Sequence, residues 1–442
     1  MSKKALYIYY FIMLLLLCMW TDMNTAPNML FRLAYISALF FPVLKYAPQM
    51  FPPVFICFVG ASTYYVSSSF MPNEIYYYTA ILLVIALFIK NKRYSKIQIP
   101  ILAILCLYVT AIDIFNNGEL ENIEYALFIT LILLSYIDLN NLNTVQYSYA
   151  FIIITIVVCI TFFTIGKQYV VEIQGQDRTM WQDPNYLGCV VGMGVICAFF
   201  ELMRKNYANK FVKLLYLFTI FIGIIMLLLN ASRGAALSTA IGITFITMFS
   251  NISYKKKIYA VLFVAIALVI LYQLDMFSAL QNRMEADDGT GNARTTIWAY
   301  KTAAFFLLPT SYIITGIGYY KGFMLGTIGG YGFHSDYVAF FVDYGIIGTL
   351  LLITLFVYPL YLSGKNKKNR GIIYAMTFYL VANCATLEPF TGGRVIYFLF
   401  YLYIIITAKK LNYNENLNVK NNYARQGIKE SNIISSRIFP KT

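Results

Sequence analysis

Apolar runs of about 17–20 residues recur along the whole chain, separated by short polar or basic stretches. A hydrocarbon core about 30 Å thick calls for helices of that length. The alternating ten-residue segments of a transmembrane barrel are not seen. The pattern therefore predicts an all-α polytopic integral membrane protein with about 12–14 transmembrane helices. The expected spans are 5–20, 29–45, 51–69, 75–90, 98–114, 122–138, 148–166, 185–203, 211–229, 233–250, 256–274, 336–362, 371–387 and 394–408, with one large loop at 275–335. The first run follows the basic start "MSKK" with no small-x-small cleavage site after it, so it reads as an uncleaved first helix. No internal repeat is found.

Composition agrees with the pattern. The chain is 60% hydrophobic and 12% charged, where a soluble domain carries roughly 25% charged residues. The seven cysteines all sit within apolar runs and form no C-x-x-C pair. They read as small buried hydrophobes, not as a disulfide framework or a zinc site.

The net charge of +14 does not point to nucleic acid, because the basic clusters are short and fall between helices. "MSKK", "NKRYSK", "RKNYANKFVK", "YKKK", "KNKKNR" and Lys409–Lys410 all fall on one side, which the positive-inside rule makes the cytoplasm. Both termini then lie inside, and the basic, Asn-rich tail is expected to be disordered. The organisation expected is a variable set of helices over 1–170, a second membrane domain over 171–408 with a periplasmic loop at 275–335, and a cytoplasmic tail over 409–442.

This threading places Arg178, Arg233, Arg283, Arg294, His334 and Arg394 on or near the outer side. Arginine there runs against the positional bias, and a group of them suggests a site for an anion. In "NASRGAA", Ser232 suits the N-cap of a helix beginning near 233, and Arg233 stands in its first turn, where the dipole is already positive. A bound phosphate would explain that position, with Gly234 letting the anion approach the backbone; snorkelling to lipid headgroups is the alternative.

Other stretches carry weaker signals. In "QDRTMWQDPNYLG", Asp183 and Pro184 mark a helix start, and Trp181 is either an interfacial belt residue or a platform for a sugar ring. "ADDGTGNARTTIW" places Arg294 and Trp298 one helical turn apart, and its Asp287 and Asp288 read as solvated loop rather than metal ligands. "GIGYYKG" has neither the spacing nor the context of a nucleotide-binding loop, so no cofactor and no metal is expected.

The chain's single histidine, His334, opens the run "HSDYVAFFVDYGIIG". On one continuous helix, Gly345 would lie about 20° from His334 and deeper, and Gly348 near the same stripe. The glycines would then let a neighbouring helix pack closely beneath the histidine. Asp343 would face the opposite way, as an intramembrane carboxylate that is a functional suspect by default.

The run fits the pattern H-[NSQ]-x9-G-x-x-G without a gap, through His334, Ser335, Gly345 and Gly348. That pattern resembles the signature shared by O-antigen ligases and O-antigen polymerases. "SRGAAL" (232–237) is similar to the same family's Ser-Arg-Gly segment, and "ARTTIW" with "GIGYY" to its outer loop. The resemblance spans roughly 175–390.

The resemblance implies a metal-independent, inverting glycosyltransferase of the bacterial inner membrane. Its donor would be a glycan on undecaprenyl pyrophosphate at the periplasmic face. Arg233 and Arg294 would hold the pyrophosphate. His334 would act at the reacting centre, as base or as a pyrophosphate contact. Glu388 is a rival base with no family role, and Arg178, Asp343 and Arg394 are further site candidates. The acceptor would be an acceptor glycan, for a polymerase joining lipid-linked repeat units of a surface polysaccharide, or lipid A core, for a ligase. The polymerase is favoured because the first half is so divergent. A chain-length regulator and a flippase would be the protein partners. A flippase of lipid-linked sugars is the competing class, and it would place ionisable residues along a central cavity.

Overall fold

The computed structural model describes residues 8, 9, 12, 29–46, 50–65, 100–137, 143–164, 170–173, 176–179, 184–204, 210–230, 232–249, 253–273, 294–326, 330, 332–364 and 370–410. The expected spans 5–20 and 75–90 apart from Ile8, Tyr9 and Ile12, the tail apart from Lys409 and Lys410, and Cys18, Trp181, Asp183, Arg283, Asp287 and Asp288 lie outside these residues.

Helices stand at the remaining expected spans. They are α1 (Met29–Tyr46), α2 (Phe51–Tyr65), α3 (Pro100–Asn117), α4 (Asn122–Tyr136), α5 (Thr144–Thr164), α6 (Pro184–Met203), α7 (Lys210–Leu229), α8 (Arg233–Phe249) and α9 (Tyr254–Gln273). After the long loop come α13 (Asp336–Gly364), α14 (Arg370–Thr386) and α15 (395–410). Five described helices are long and apolar enough to cross a membrane, namely Pro100–Asn117, Thr144–Thr164, Asn185–Met203, Lys210–Leu229 and Asp336–Ser363. Several others are shorter apolar helices. The all-α polytopic architecture is as expected. One small addition is a hairpin of β1 (Val170–Ile173) and β2 (Gln176–Thr179), antiparallel with Val171 opposite Arg178.

The core forms where α5, α6, α8, α14 and α15 pack. Small residues set the spacing. A Cβ on Gly188 would come 2.8 Å from that of Ala235, and one on Gly234 would come 2.6 Å from Thr386 Oγ1. These side-chain-free faces let α6 and α14 lie close against α8. The expectation that Gly234 opens the backbone to an anion is therefore corrected: that side of Gly234 is filled by α14.

The expected loop 275–335 is partly helical, with α10 (Arg294–Phe306), α11 (Thr310–Thr315) and α12 (Tyr319–Phe323). These helices build a second, smaller apolar cluster of Phe305, Ile317, Phe333, Ala339 and Val342 against the first half of α13.

The continuous helix expected over 334–348 is not observed. His334 lies outside α13 in a left-handed conformation, φ 53°. The helix is broken at Gly345, φ 64° and ψ −165°. The break follows from competition for backbone groups. Ile317 N–H donates to Val342 O at 3.3 Å and Gly318 N–H to Asp343 O at 2.8 Å, which takes these carbonyls out of the helical ladder. A Cβ on Gly345 would overlap Ile314 O and Gly316 N. The glycine is thus needed for its positive φ and for the approach of the 314–318 segment. It is not a seat for a neighbouring helix beneath the histidine.

Candidate active site

Several helix starts meet at one end of the bundle, around the turn 387–394. Asp336, the first residue of α13, ties that turn down. Its carboxylate accepts from Phe390 N–H at 3.0 Å, Thr391 N–H at 2.9 Å and Thr391 Oγ1 at 2.8 Å. Its own N–H donates to Leu387 O at 2.9 Å. Gly393, φ 61°, faces Asn122 at the start of α4 so closely that a Cβ there would overlap its backbone. Arg394 stacks on Tyr186 in the first turn of α6, 4.6 Å from the ring centroid. Ser232, just before α8, donates to Asn185 Oδ1 at 3.2 Å. The N-termini of α4, α6, α8 and α13 thus lie at one level. The starts of α4 and α13 are already satisfied, Glu121 N–H by the Glu124 carboxylate at 2.7 Å and Asp336 N–H by Leu387 O, while Arg233 and Arg394 bring positive charge to the same end.

The turn carries Glu388, whose carboxylate accepts the backbone N–H of His334. A Cβ on Gly332 would lie 3.3 Å from Glu388 Oε2. The stretch 332–334 therefore wraps the carboxylate, and the left-handed His334 is what turns its N–H inward. Glu388 stands just beyond α14. Burial first, and the nearby Asp336 charge second, push its pKa up to about 7, against the opposing effects of the His334 and Phe333 N–H groups and of Lys301. A carboxyl group poised there can exchange a proton near neutral pH. The His334 side chain is exposed.

Helix α10 closes the other side of the 332–334 turn. Arg294, Trp298, Lys301 and Phe305 recur at helical spacing along one stripe. Trp298 Nε1–H donates to Phe333 O at 2.5 Å. Lys301 is fully buried. Its Nζ donates to Phe323 O at 2.7 Å and Gly322 O at 3.2 Å, and lies 4.5 Å from the centroid of the Phe333 ring. Burial lowers its pKa, while Asp343 and Glu388 oppose that. Arg294 begins this helix one turn before Trp298, so α10 carries it to the His334 side of the molecule.

Asp343 lies deeper, fully buried and pressed against Gly322. Among the described residues neither of its carboxylate oxygens has a hydrogen-bond partner. The break at Gly345 places it among Asp113, Glu388, Lys301 and Glu121, all near enough to act on it electrostatically. The opposite placement of Asp343 held only for one continuous helix from His334; His334 lies outside α13, and Asp343 and Glu388 both act electrostatically on Lys301.

Sequence reading missed four of these residues. Asp336 and Lys301 are described above. Asp113 of α3 accepts from Tyr319 N–H at 2.8 Å and from Tyr344 Oη at 2.9 Å. The Tyr319 phenol has its pKa raised to about 12, by burial first and then by Glu388, Asp343 and Glu121, with Arg394 opposing. An acidic residue inside an apolar run, as in "AIDIFNN", is the signal that could have flagged Asp113.

Of the expected site residues, His334, Glu388 and Asp343 belong to one connected region. Arg394 lies on the same turn as Glu388, and Arg233 and Arg294 each begin a helix that packs against that region. Arg178 stands on β2, its backbone paired opposite Val171. Among the described residues no cluster of three or more His, Cys, Asp or Glu side chains could hold a metal ion.

Residues 218–353 match the family described as O-antigen ligase. The matched stretch runs from α7 through α13 and includes Arg233, Arg294, His334 and Asp343. No curated protein matches the chain. The family match and the apolar helices together support a membrane protein that transfers glycan.

Proposed function

We propose, for a chain similar to the O-antigen ligase family over residues 218–353, that it joins repeat units of a surface polysaccharide at the periplasmic face of the inner membrane. The donor would be a glycan on undecaprenyl pyrophosphate. Arg233 and Arg294, each in the first turn of its helix, would neutralise the pyrophosphate with help from the helix N-termini. The acceptor hydroxyl would attack the anomeric carbon as the bond to the pyrophosphate oxygen breaks. The electron pair leaves with undecaprenyl pyrophosphate, and the hydroxyl proton goes to a base, with inversion and without a metal.

The observation that carries this reading is the capture of the His334 turn by Glu388 at the level where four helix N-termini meet. An acid–base group then stands on the turn that also carries Arg394, near the helix that Arg233 begins. Glu388 is the base favoured here. The exposed His334 would contact the pyrophosphate or share the proton. Asp343 would act through Lys301 and Glu388, and Arg394 and Arg178 would line the outer rim. The domain division at about residue 170, the cytoplasmic termini and the protein partners, a chain-length regulator and a flippase, belong to the same proposal.

Purified protein given only lipid-linked repeat units should build a ladder of longer glycans and release undecaprenyl pyrophosphate, in the presence of a chelator. A second reading, transfer to lipid A core, is favoured by the ligase description of the matched family. It predicts no product until lipid A core is added. Silence in both assays, with lipid-linked sugar crossing the bilayer instead, would replace the enzyme reading with a flippase.

A further inference from the structure

The buried cation Lys301 touches neither donor nor acceptor in the chemistry just described, yet it sits against the turn that presents His334. A lysine is rarely this buried without a carboxylate in hydrogen-bonding contact. Lys301 instead caps two carbonyls, Gly322 O and Phe323 O, and lies under the Phe333 ring. One turn earlier on the same face, Trp298 holds the carbonyl of that same Phe333. The next residue, His334, gives its N–H to Glu388. The 332–334 turn is therefore gripped from three sides, and two of the grips come from one stripe of α10.

We propose that Lys301, with Trp298, is a positioning residue of the glycan-transfer site: the α10 stripe fixes the 332–334 turn, and that turn holds Glu388 through the His334 N–H. The proposal rests on Glu388 being the base. Among the described residues, charged and polar groups from several elements act on this pair. Asp336 of α13 and the N–H groups of Phe333 and His334 face Glu388. Asp343 of α13 faces Lys301, with Asp113 of α3 and Glu121 just before α4 behind it. The Tyr319 phenol of α12 lies near Glu388, Asp343 and Arg394. Lys301 is the cation that opposes the raised proton affinity of Glu388, so its removal has one sign: Glu388 holds its proton to higher pH.

The test uses the full chain in detergent or nanodiscs with lipid-linked repeat units, plus lipid A core if the wild type needs it. Turnover is measured from pH 5.5 to 9. Lys301→Met, a neutral side chain of similar reach, should move the acidic limb of the profile upward by about one unit. Turnover at the plateau should also fall, by about ten-fold to a hundred-fold, as the turn loosens. In a Glu388→Gln background the same substitution should move no limb. Trp298→Phe, which removes the indole N–H and shrinks the ring, should lower turnover without moving the limb. If Lys301→Met proves too unstable to purify, Lys301→Arg, which keeps the charge, should hold the wild-type limb. A wild-type chain that transfers glycan while Lys301→Met keeps the wild-type limb and turnover would overturn this proposal alone. A wild-type chain that transfers nothing would overturn the enzyme reading beneath it.

Discussion

Two glutamates, Glu201 buried and Glu388 half-buried, lie towards opposite ends of the same bundle, and they are held in different ways. Glu201, near the end of α6, accepts from Ser148 Oγ at 2.7 Å, and Ser148 pairs with Tyr403 Oη at 2.6 Å. All three side chains are fully buried, on helices α5, α6 and α15. Glu388, at the other end, stands on a turn and takes a backbone N–H from a left-handed residue, His334. Side chains on regular helices can satisfy a carboxylate while locking the helices together, which is a structural role. A backbone N–H turned inward by an uncommon φ holds the carboxylate while leaving the adjacent histidine side chain exposed, an arrangement typical of working sites. Burial alone therefore does not identify the site. What separates the two glutamates is the backbone around them.

The sharpest way to break this contrast is to neutralise each glutamate in turn. Glu388→Gln should lower glycan transfer by about 10²–10⁴, the usual worth of a general base. Glu201→Gln should keep turnover within a few-fold of wild type and lower thermal stability instead. Equal losses of turnover in the two variants would erase the distinction between the ends. The arginine at the start of α8 comes next. Arg233→Lys keeps the charge but not the planar fork, and transfer should fall by about ten-fold or more, with normal yield from the membrane. Full activity in that variant would remove the pyrophosphate clamp from the mechanism.

The pH profile sharpens the same comparison. With Glu388 pushed up to about 7, the base is ionised above that pH and protonated below it. Turnover should therefore fall as pH drops through about 7, and Glu388→Gln should lack that limb while Glu201→Gln keeps it. The smallest effects concern the backbone. Gly345→Ala meets both a positive φ and the carbonyl of Ile314, and should destabilise the fold by about 1–3 kcal/mol in thermal unfolding. Gly118→Ala has a similar φ with open space around it, and should cost about 1 kcal/mol. Equal shifts would mean that the contact with the 314–318 segment contributes nothing.

The residue string alone established the class of fold, because hydrophobic run length is a local property that water and lipid both read directly. It also marked His334 and its glycine pattern, the arginine heading α8, the acid in the outer turn "LEPFTGG" and the intramembrane Asp343, each by residue type in a place that disfavours it. The shape of the site needed the tertiary structure. His334 meets Glu388 across 54 positions, and Asp113 meets Tyr344 across 231. Which helix starts share a level depends on which faces pack, and small residues such as Gly188 and Gly234 set that through contacts far along the chain. Lys301 shows the limit most clearly. In sequence it is one lysine among ordinary loop residues, and only the packing of α10 on the broken half of α13 removes it from water and sets it beneath the His334 turn. The break itself has the same origin. A helix read from its own sequence runs through Gly345, and it stops there because the 317–318 amides claim the carbonyls of Val342 and Asp343.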